Sequence, residues 1–274
     1  MIKALIVGDI IGRPGRTVLQ DALNRIRLSH DPDIVLVNGE NAAGGFGITE
    51  KVYNLFVSEF GVDCVTTGNH WHDKKELFSY LPLAERLFLP GNVHNTPSEL
   101  RGLYKGVTKK SGIPFAVINV IGRVFMHENN KNPFEAISRL VEAIPKQTKV
   151  ILVDVHAEAS SEKLALGDFL TCNVSLVFGT HSHVPTADGR LLENFTGFIT
   201  DVGMTGPYDS IIGMKKELAL KRMLTGNKSV RLEPAKHDLR FYGILAEIDE
   251  ETGQCCKISR VIMKNSEIQI QSLN

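Results

Sequence analysis

The sequence predicts an α/β layered sandwich of mixed β-sheets flanked by helices, folded as a single domain over residues 1–274. Three observations carry this expectation. Short, unbroken apolar runs, most ending at glycine, alternate with amphipathic helical segments through the first two-thirds of the chain. The C-terminal part instead alternates apolar and polar residues, as antiparallel strands with one wet face do. No internal repeat, low-complexity tract or long linker breaks the pattern.

The elements follow in order. "KALIVG" (Lys3–Gly8) is short, continuous and apolar, so it reads as a strand buried on both faces. Arg16–His30 places Val18, Leu19, Ala22, Leu23 and Ile26 at helical spacing. Asp33–Gly39 is a second strand. Thr49–Gly61 is a helix with Thr49 as N-cap and Gly61 as its stop. Val62–Asn69 is a third strand, and Asp73 is placed to cap the helix "KKELFSYL". Pro114–Gly122 is a strand. "FMHENNKNP" (Phe125–Pro133) is a polar loop, and Asn132 and Pro133 open a helix to Ile144. Strands at Lys149–Ala157 and Val174–Ser182 bracket a helix near Ser161–Leu170, and Gly197–Gly203 is a further strand. The stretches "RFYGILAEID" and "CKISRVIMKNSEIQIQ" supply the solvent-facing antiparallel strands.

Composition removes several function classes. Lys plus Arg and Asp plus Glu both total 31, so no global field draws the chain to nucleic acid or to a membrane. Stable nucleic-acid binding is therefore not expected. Cys64, Cys172, Cys255 and Cys256 have no metal-knuckle or CxxC spacing, which implies reduced thiols. The apolar N-terminus is too short to span a bilayer and shows no cleavage site, so no membrane partner and a cytoplasmic location are expected.

The polar residues that follow the strands carry the functional reading. Asp9 follows the first, Glu40 and Asn41 the second, Asn69 and His70 the third. His156 closes the strand near 150, and His181 and His183 follow the strand near 175. Ligands of open α/β sheets sit outside the carboxyl ends of the strands. Singly, each residue has an ordinary role: Asp9 as a helix cap, Glu40 and Asn41 as turn residues, His156 as a core histidine. Five strand ends that each deliver a carboxylate, carboxamide or imidazole point instead to a divalent-metal site. On extended chain His181 and His183 would face the same way about 7 Å apart. They could then serve two cations about 3.5–4 Å apart, with Glu40 or Asp9 bridging. His70, beside Asn69, is better placed to face substrate as a general acid. His72 reads as a solvated or supporting residue and His127 as a loop residue. Arg13 and Arg16 read as helix-surface cations, and "DVGMTGPYDSIIG" as a wall of the cleft.

The motifs "GDIIGRPGR", "NGENAAGGFGIT", "TTGNHWHDKKE", "DVHAEASSEK", "FGTHSHVPTAD" and "TDVGMTGPYDSIIG" resemble those of the calcineurin-like metallophosphoesterases over nearly the whole chain. Among these they are most similar to the bacterial 2′,3′-cyclic-nucleotide phosphodiesterases. Glu40 stands where the broad superfamily has a bridging aspartate, and Trp71 follows His70, both marks of that bacterial branch. The resemblance implies Asp9, Glu40, Asn41 and His183 around one cation. It implies Glu40, Asn69, His156 and His181 around the other, and His70 as proton donor. It further implies iron or manganese, with zinc or magnesium as alternatives, and a homo-oligomer, dimer or tetramer. The expected reaction is attack of an activated hydroxide on a cyclic nucleotide such as 2′,3′-cyclic AMP. The competing expectations are a broader phosphomonoesterase or phosphodiesterase on the same site, or a nucleotide-sensing regulator with little turnover.

Overall fold

The computed structural model describes residues 1–94, 99–126 and 130–273; His127 lies outside them. Strands β1 (Ile2–Val7) and β2 (Asp9–Ile10) lead into helix α1 (Gly12–Ser29), followed by β3 (Ile34–Asn38), α2 (Glu50–Asn54), β4 (Cys64–Thr66) and α3 (Leu77–Tyr80). The middle comprises β5 (Leu103–Val107), β6 (Pro114–Ile121), α4 (Pro133–Glu142), β7 (Val150–His156), α5 (Ser160–Phe169) and β8 (Leu176–Thr180). The chain then runs through β9 (Arg190–Leu192), β10 (Thr196–Ile199), β11 (Met204–Pro207), α6 (Lys216–Thr225), β12 (Leu239–Ile248), β13 (Cys255–Lys264) and β14 (Glu267–Ser272).

Two mixed sheets result. The first runs β14-β13-β12-β1-β3-β4, with β11 bridging β12 and β2; the second runs β5-β6-β7-β8-β10-β9. Within them β1, β3 and β4 are parallel, as are β6, β7, β8 and β10. Alternation along each strand sorts its side chains into separate apolar layers. Ile2, Ala4, Ile6, Ile34 and Leu36 meet Phe115, Val117, Leu152, Leu176 and Phe178 between the sheets. The opposite faces pack Leu5, Val7, Val35 and Val37 under Leu19, Leu23 and Ile26 of α1, and Val153 and Val155 under Ile137, Leu140 and Leu166 of α4 and α5. Burial on both faces is why the parallel strands read as unbroken apolar runs. The expected layered α/β sandwich of mixed sheets is what forms.

Local signals translate unevenly. The Thr49 hydroxyl accepts from the Val52 amide at 3.3 Å, and Gly61 turns the chain at φ +63°. The helix between them changes to a π-helical turn at Leu55–Glu59. Asn132 caps α4, accepting from the Phe134 amide at 3.0 Å, with Pro133 at its first position. Asp73 caps no helix: α3 is one short turn, and the Asp73 carboxylate turns to His70 instead. The predicted strand Gly197–Gly203 ends at Ile199, because Thr200–Gly203 carries the chain from the second sheet to the first. β13 is partly exposed as expected and β14 is exposed along nearly its whole length, whereas β12 is largely buried, since its side chains enter the apolar layers on both faces of the first sheet. Among the described residues no helix is long and apolar enough to cross a membrane, and all four cysteines are free thiols.

Candidate metal centre

The carboxyl ends of both parallel strand sets open onto one edge, and Glu40 and His156 meet there across the two sheets. Asp9 is fully buried; Oδ2 accepts from the His181 amide at 3.1 Å, and Oδ1 has no partner among the described residues. Glu40, 1% exposed, is oriented through its own amide, which donates to Asn38 Oδ1 at 3.1 Å. Its Oε2 lies 3.2 Å from His156 Nε2 and accepts from the His70 amide at 3.3 Å, while Oε1 accepts from Asn41 Nδ2 at 3.0 Å. His156 Nε2 also lies 2.9 Å from Asn69 Oδ1 and 3.0 Å from His181 Nδ1. His183 Nε2 lies 3.0 Å from Asn41 Nδ2.

Two groups of ligand atoms emerge, Glu40–His156–His181 and Asp9–Glu40–His183, each with all its atoms within 4.8 Å of one another. Glu40 belongs to both. The donor set fits divalent cations on three counts. Oxygen and imidazole nitrogen suit first-row metals. Asp9 Oδ1 is a buried acceptor without a donor, a costly state unless something occupies it. Several lone-pair atoms face one another without a proton for each contact. Gly68 leaves the space open: a Cβ there would collide with both Glu40 Oε2 and His156 Nε2. Asn41 presents its nitrogen to the cluster, so ligation through Oδ1 requires a half-turn of the amide.

The ring nitrogens are set by their neighbours. His183 Nδ1 donates to the Ile212 carbonyl at 2.9 Å, which leaves Nε2 for a metal. The Thr180 hydroxyl donates to Asp154 Oδ1 at 2.7 Å, so it accepts from His156 Nδ1 at 2.9 Å and turns Nε2 toward the ligand cluster. His181 shows the reverse use, with Nε2 held by Glu158 at 3.0 Å and Nδ1 facing inward. His70 Nδ1 lies 2.9 Å from Asp73 Oδ2, and Phe46 packs edge-on against the ring at 5.0 Å. His72 is exposed and stacks edge-on with Trp71. Arg16 donates to the Ala42 carbonyl in the loop after Glu40.

One expectation is corrected. His181 and His183 do not lie on extended chain. β8 stops at Thr180, and the two histidines adopt φ +97° and +64°. Turning the backbone lets the His181 and Ser182 amides reach Asp9 and Asp201. The two rings reach separate ligand groups by this turn rather than by strand spacing.

Electrostatics follow from burial and crowding. Burial opposes ionisation of Glu40, but His156 outweighs it, and the carboxyl is held well below its usual range. Burial likewise opposes the imidazolium of His156, yet Glu40, Asp9 and Asp154 carry its pKa up to about 9. Burial, reinforced by His156, drives His181 down to about 3. Burial raises Asp9 despite His183, and raises Asp154 to about 6 despite His156. Without cations, the cluster thus holds a proton on His156 where a metal would otherwise sit.

Sequence reasoning missed Gly68, Asp154, Glu158 and the orienting role of Asp73. For Asp154 a signal existed: it lies two residues before His156 on a buried strand, hence on the same face.

Fold and site together define the chain as one of the calcineurin-like metallophosphoesterases. Within that class it belongs to the YmdB-like protein family, whose profile matches residues 5–261. It is 40% identical over 267 residues to the 2′,3′-cyclic-nucleotide 2′-phosphodiesterase of Bacillus subtilis, covering 96% of this chain and 98% of that protein. Among solved structures it resembles a hypothetical protein from Thermus thermophilus, with TM-score 0.87 and 38% identity over 96% of this chain and 99% of the other. It also resembles a Mycoplasma pneumoniae protein described as a novel phosphatase, with TM-score 0.86 and 30% identity over 96% and 93%.

Proposed function

We propose that this chain is a dinuclear-metal phosphodiesterase that opens cyclic nucleotides such as 2′,3′-cyclic AMP. The observation that carries the reading is the pair of ligand groups meeting at one shared carboxylate, Glu40. Asp9, Glu40, Asn41 and His183 would hold one cation; Glu40, Asn69, His156 and His181 would hold the other. Iron or manganese suits this mixed nitrogen and oxygen set, and zinc or magnesium is the alternative. Bound cations supply Lewis acidity toward the phosphoryl oxygens and lower the pKa of water.

The chain's own residues do the rest. Asp73 fixes the His70 ring through Nδ1, which leaves Nε2 to carry the proton. The His70 amide rests on Glu40, so the ring stands beside the bridging carboxylate. As the oxygen of a water molecule bonds to phosphorus and the P–O bond to the ribose breaks, His70 gives the departing ribose oxygen its proton, the proton lost by the water replaces it, and a nucleoside monophosphate results. The Ile212 carbonyl and the Thr180–Asp154 pair hold the His183 and His156 rings in place while charge moves. Support for the substrate class comes from the Bacillus subtilis relative, named for 2′,3′-cyclic nucleotides.

The test is hydrolysis by protein loaded with manganese or iron, against 2′,3′-cyclic AMP, p-nitrophenyl phosphate and its bis ester. Preference for the cyclic diester is expected. Turnover of the monoester alone would favour a phosphomonoesterase instead, and tight binding of nucleotide without turnover would favour a sensor.

A further inference from the structure

Behind the turn that bears His181 and His183 sits an ion pair with no part in the reaction just described. Lys163 of α5 places Nζ 2.7 Å from Asp201 Oδ2, and the two side chains are 2% and 1% exposed. Burying two charges is weak as a source of stability, since packed apolar residues often serve as well. What Asp201 touches supplies a reason for it. Oδ2 also accepts from the Ser182 amide at 3.1 Å, and Oδ1 accepts from the Gly203 amide at 2.8 Å. The Asp201 amide donates to Thr186 Oγ1 at 2.9 Å, and the Asp201 carbonyl accepts from the Thr186 amide at 3.0 Å. One residue therefore grips the turn at Ser182 and at Thr186, on either side of His183.

That grip falls where the backbone needs it. His181 and His183 flank Ser182 and both hold positive φ, which persists only where the surroundings over-determine it. The Lys163 stem runs past the end of β8: a Cβ on Gly179 would come within 2.7 Å of Lys163 Cδ. Without Lys163, the Asp201 carboxylate is buried with amide donors and no countercharge. Without the carboxylate, Lys163 is a buried unpaired cation. An alanine at 201 offers no side-chain acceptor to the Ser182 or Gly203 amide.

We propose that Lys163 and Asp201 are positioning residues of the metal centre, clamping the Ser182 amide so that the left-handed turn aims His181 and His183 at separate cations. The proposal rests on the dinuclear reading above. Supporting side chains of this kind typically change metal affinity about 10–100-fold when removed.

The experiment is titration of metal-free protein with Mn2+ by calorimetry, with electron paramagnetic resonance of the loaded protein. Wild type, Lys163→Met and Lys163→Arg are compared, and thermal melts are recorded alongside. Lys163→Met is expected to weaken Mn2+ binding at least about 10-fold and to alter the spectrum of the coupled pair. Lys163→Arg, which keeps the charge, is expected to restore most of the affinity. Should Lys163→Met fail to fold, the double variant Lys163→Met/Asp201→Ala carries no buried charge and offers the Ser182 amide no side-chain acceptor. It is expected to fold and still bind Mn2+ weakly, because the Ser182 clamp is gone. Folded Lys163→Met, or the double variant, with wild-type affinity and spectrum would overturn the positioning role alone, even if melting at lower temperature. Wild type that takes up no Mn2+ would overturn the metal centre and this proposal with it.

Discussion

Replacing Gly68 by alanine tests whether the space between Glu40 and His156 is where the chemistry happens. Gly68 does not occupy the left-handed region, so alanine meets no backbone penalty there, and any effect comes from the added methyl. That methyl would lie about 1 Å inside the 3.4 Å of ordinary van der Waals contact with both Glu40 Oε2 and His156 Nε2. Neither neighbour can swing into solvent, at 1% and 0% exposure. One or both must retreat by about 1 Å, and a displacement of that size is commonly worth about 10²-fold in rate. Overpacking of this kind also destabilises by about 1–3 kcal/mol. We expect Gly68→Ala to fold, to lose about 10²-fold or more in kcat on 2′,3′-cyclic AMP, and to bind Mn2+ more weakly. The assays are steady-state kinetics and calorimetric titration of the metal. A variant that kept kcat/KM within about threefold of wild type, with full metal stoichiometry, would refute the placement of the shared ligands around this glycine.

His70→Ala is expected to lower kcat on 2′,3′-cyclic AMP about 10²–10⁴-fold and to leave Mn2+ binding intact. The loss should be much smaller on bis-p-nitrophenyl phosphate, whose leaving group needs no proton; equal losses on both substrates would remove the proton-donor role. Glu40→Gln takes a charge from both ligand groups at once, so metal analysis should show weakened occupancy of both positions, and two tightly held ions would contradict the shared carboxylate. Chelator-treated protein should lose stability as pH rises. The folded His156 pKa of about 9 lies above its usual 6.5, so its contribution is fully present below about 6.5 and is lost as pH rises through about 9. The gap corresponds to at most about 3 kcal/mol. Denaturant melts at the two ends of that window measure it, and a flat profile would show that His156 is not the protonated partner of Glu40.

The parts of the site legible in the sequence are those that end strands. Asp9, Glu40, Asn69, His156, His181 and His183 each sit where an apolar run stops, and parallel strands carry all those stops to one edge. Residues that act from inside an element left a weaker trace. Asp154 hides within a run that reads as buried strand, and Lys163 within "SSEKLALGDF", which reads as a charged helix surface although its ammonium is buried. Gly68 looks like one more strand stop, because pattern alone cannot say what a missing side chain makes room for. The strands β5, β9 and β11 and the helix α6 carry too little pattern to be read. β9 and β11 are three and four residues long, β5 carries a lysine and a glycine, and α6 buries only Ala219. The backbone turn at His181 leaves only a weak sequence signature, since histidine, although enriched at positive φ, adopts it in a small minority of cases.

The left-handed backbones at His181 and His183 set folding against catalysis at the same two positions. Glycine would relieve about 1–2 kcal/mol of conformational penalty at each while deleting an imidazole. Selection for thermal robustness alone would thus drift these sites toward glycine and yield sturdier, inert descendants. A screen of this scaffold by melting temperature would reward the very replacements that extinguish it.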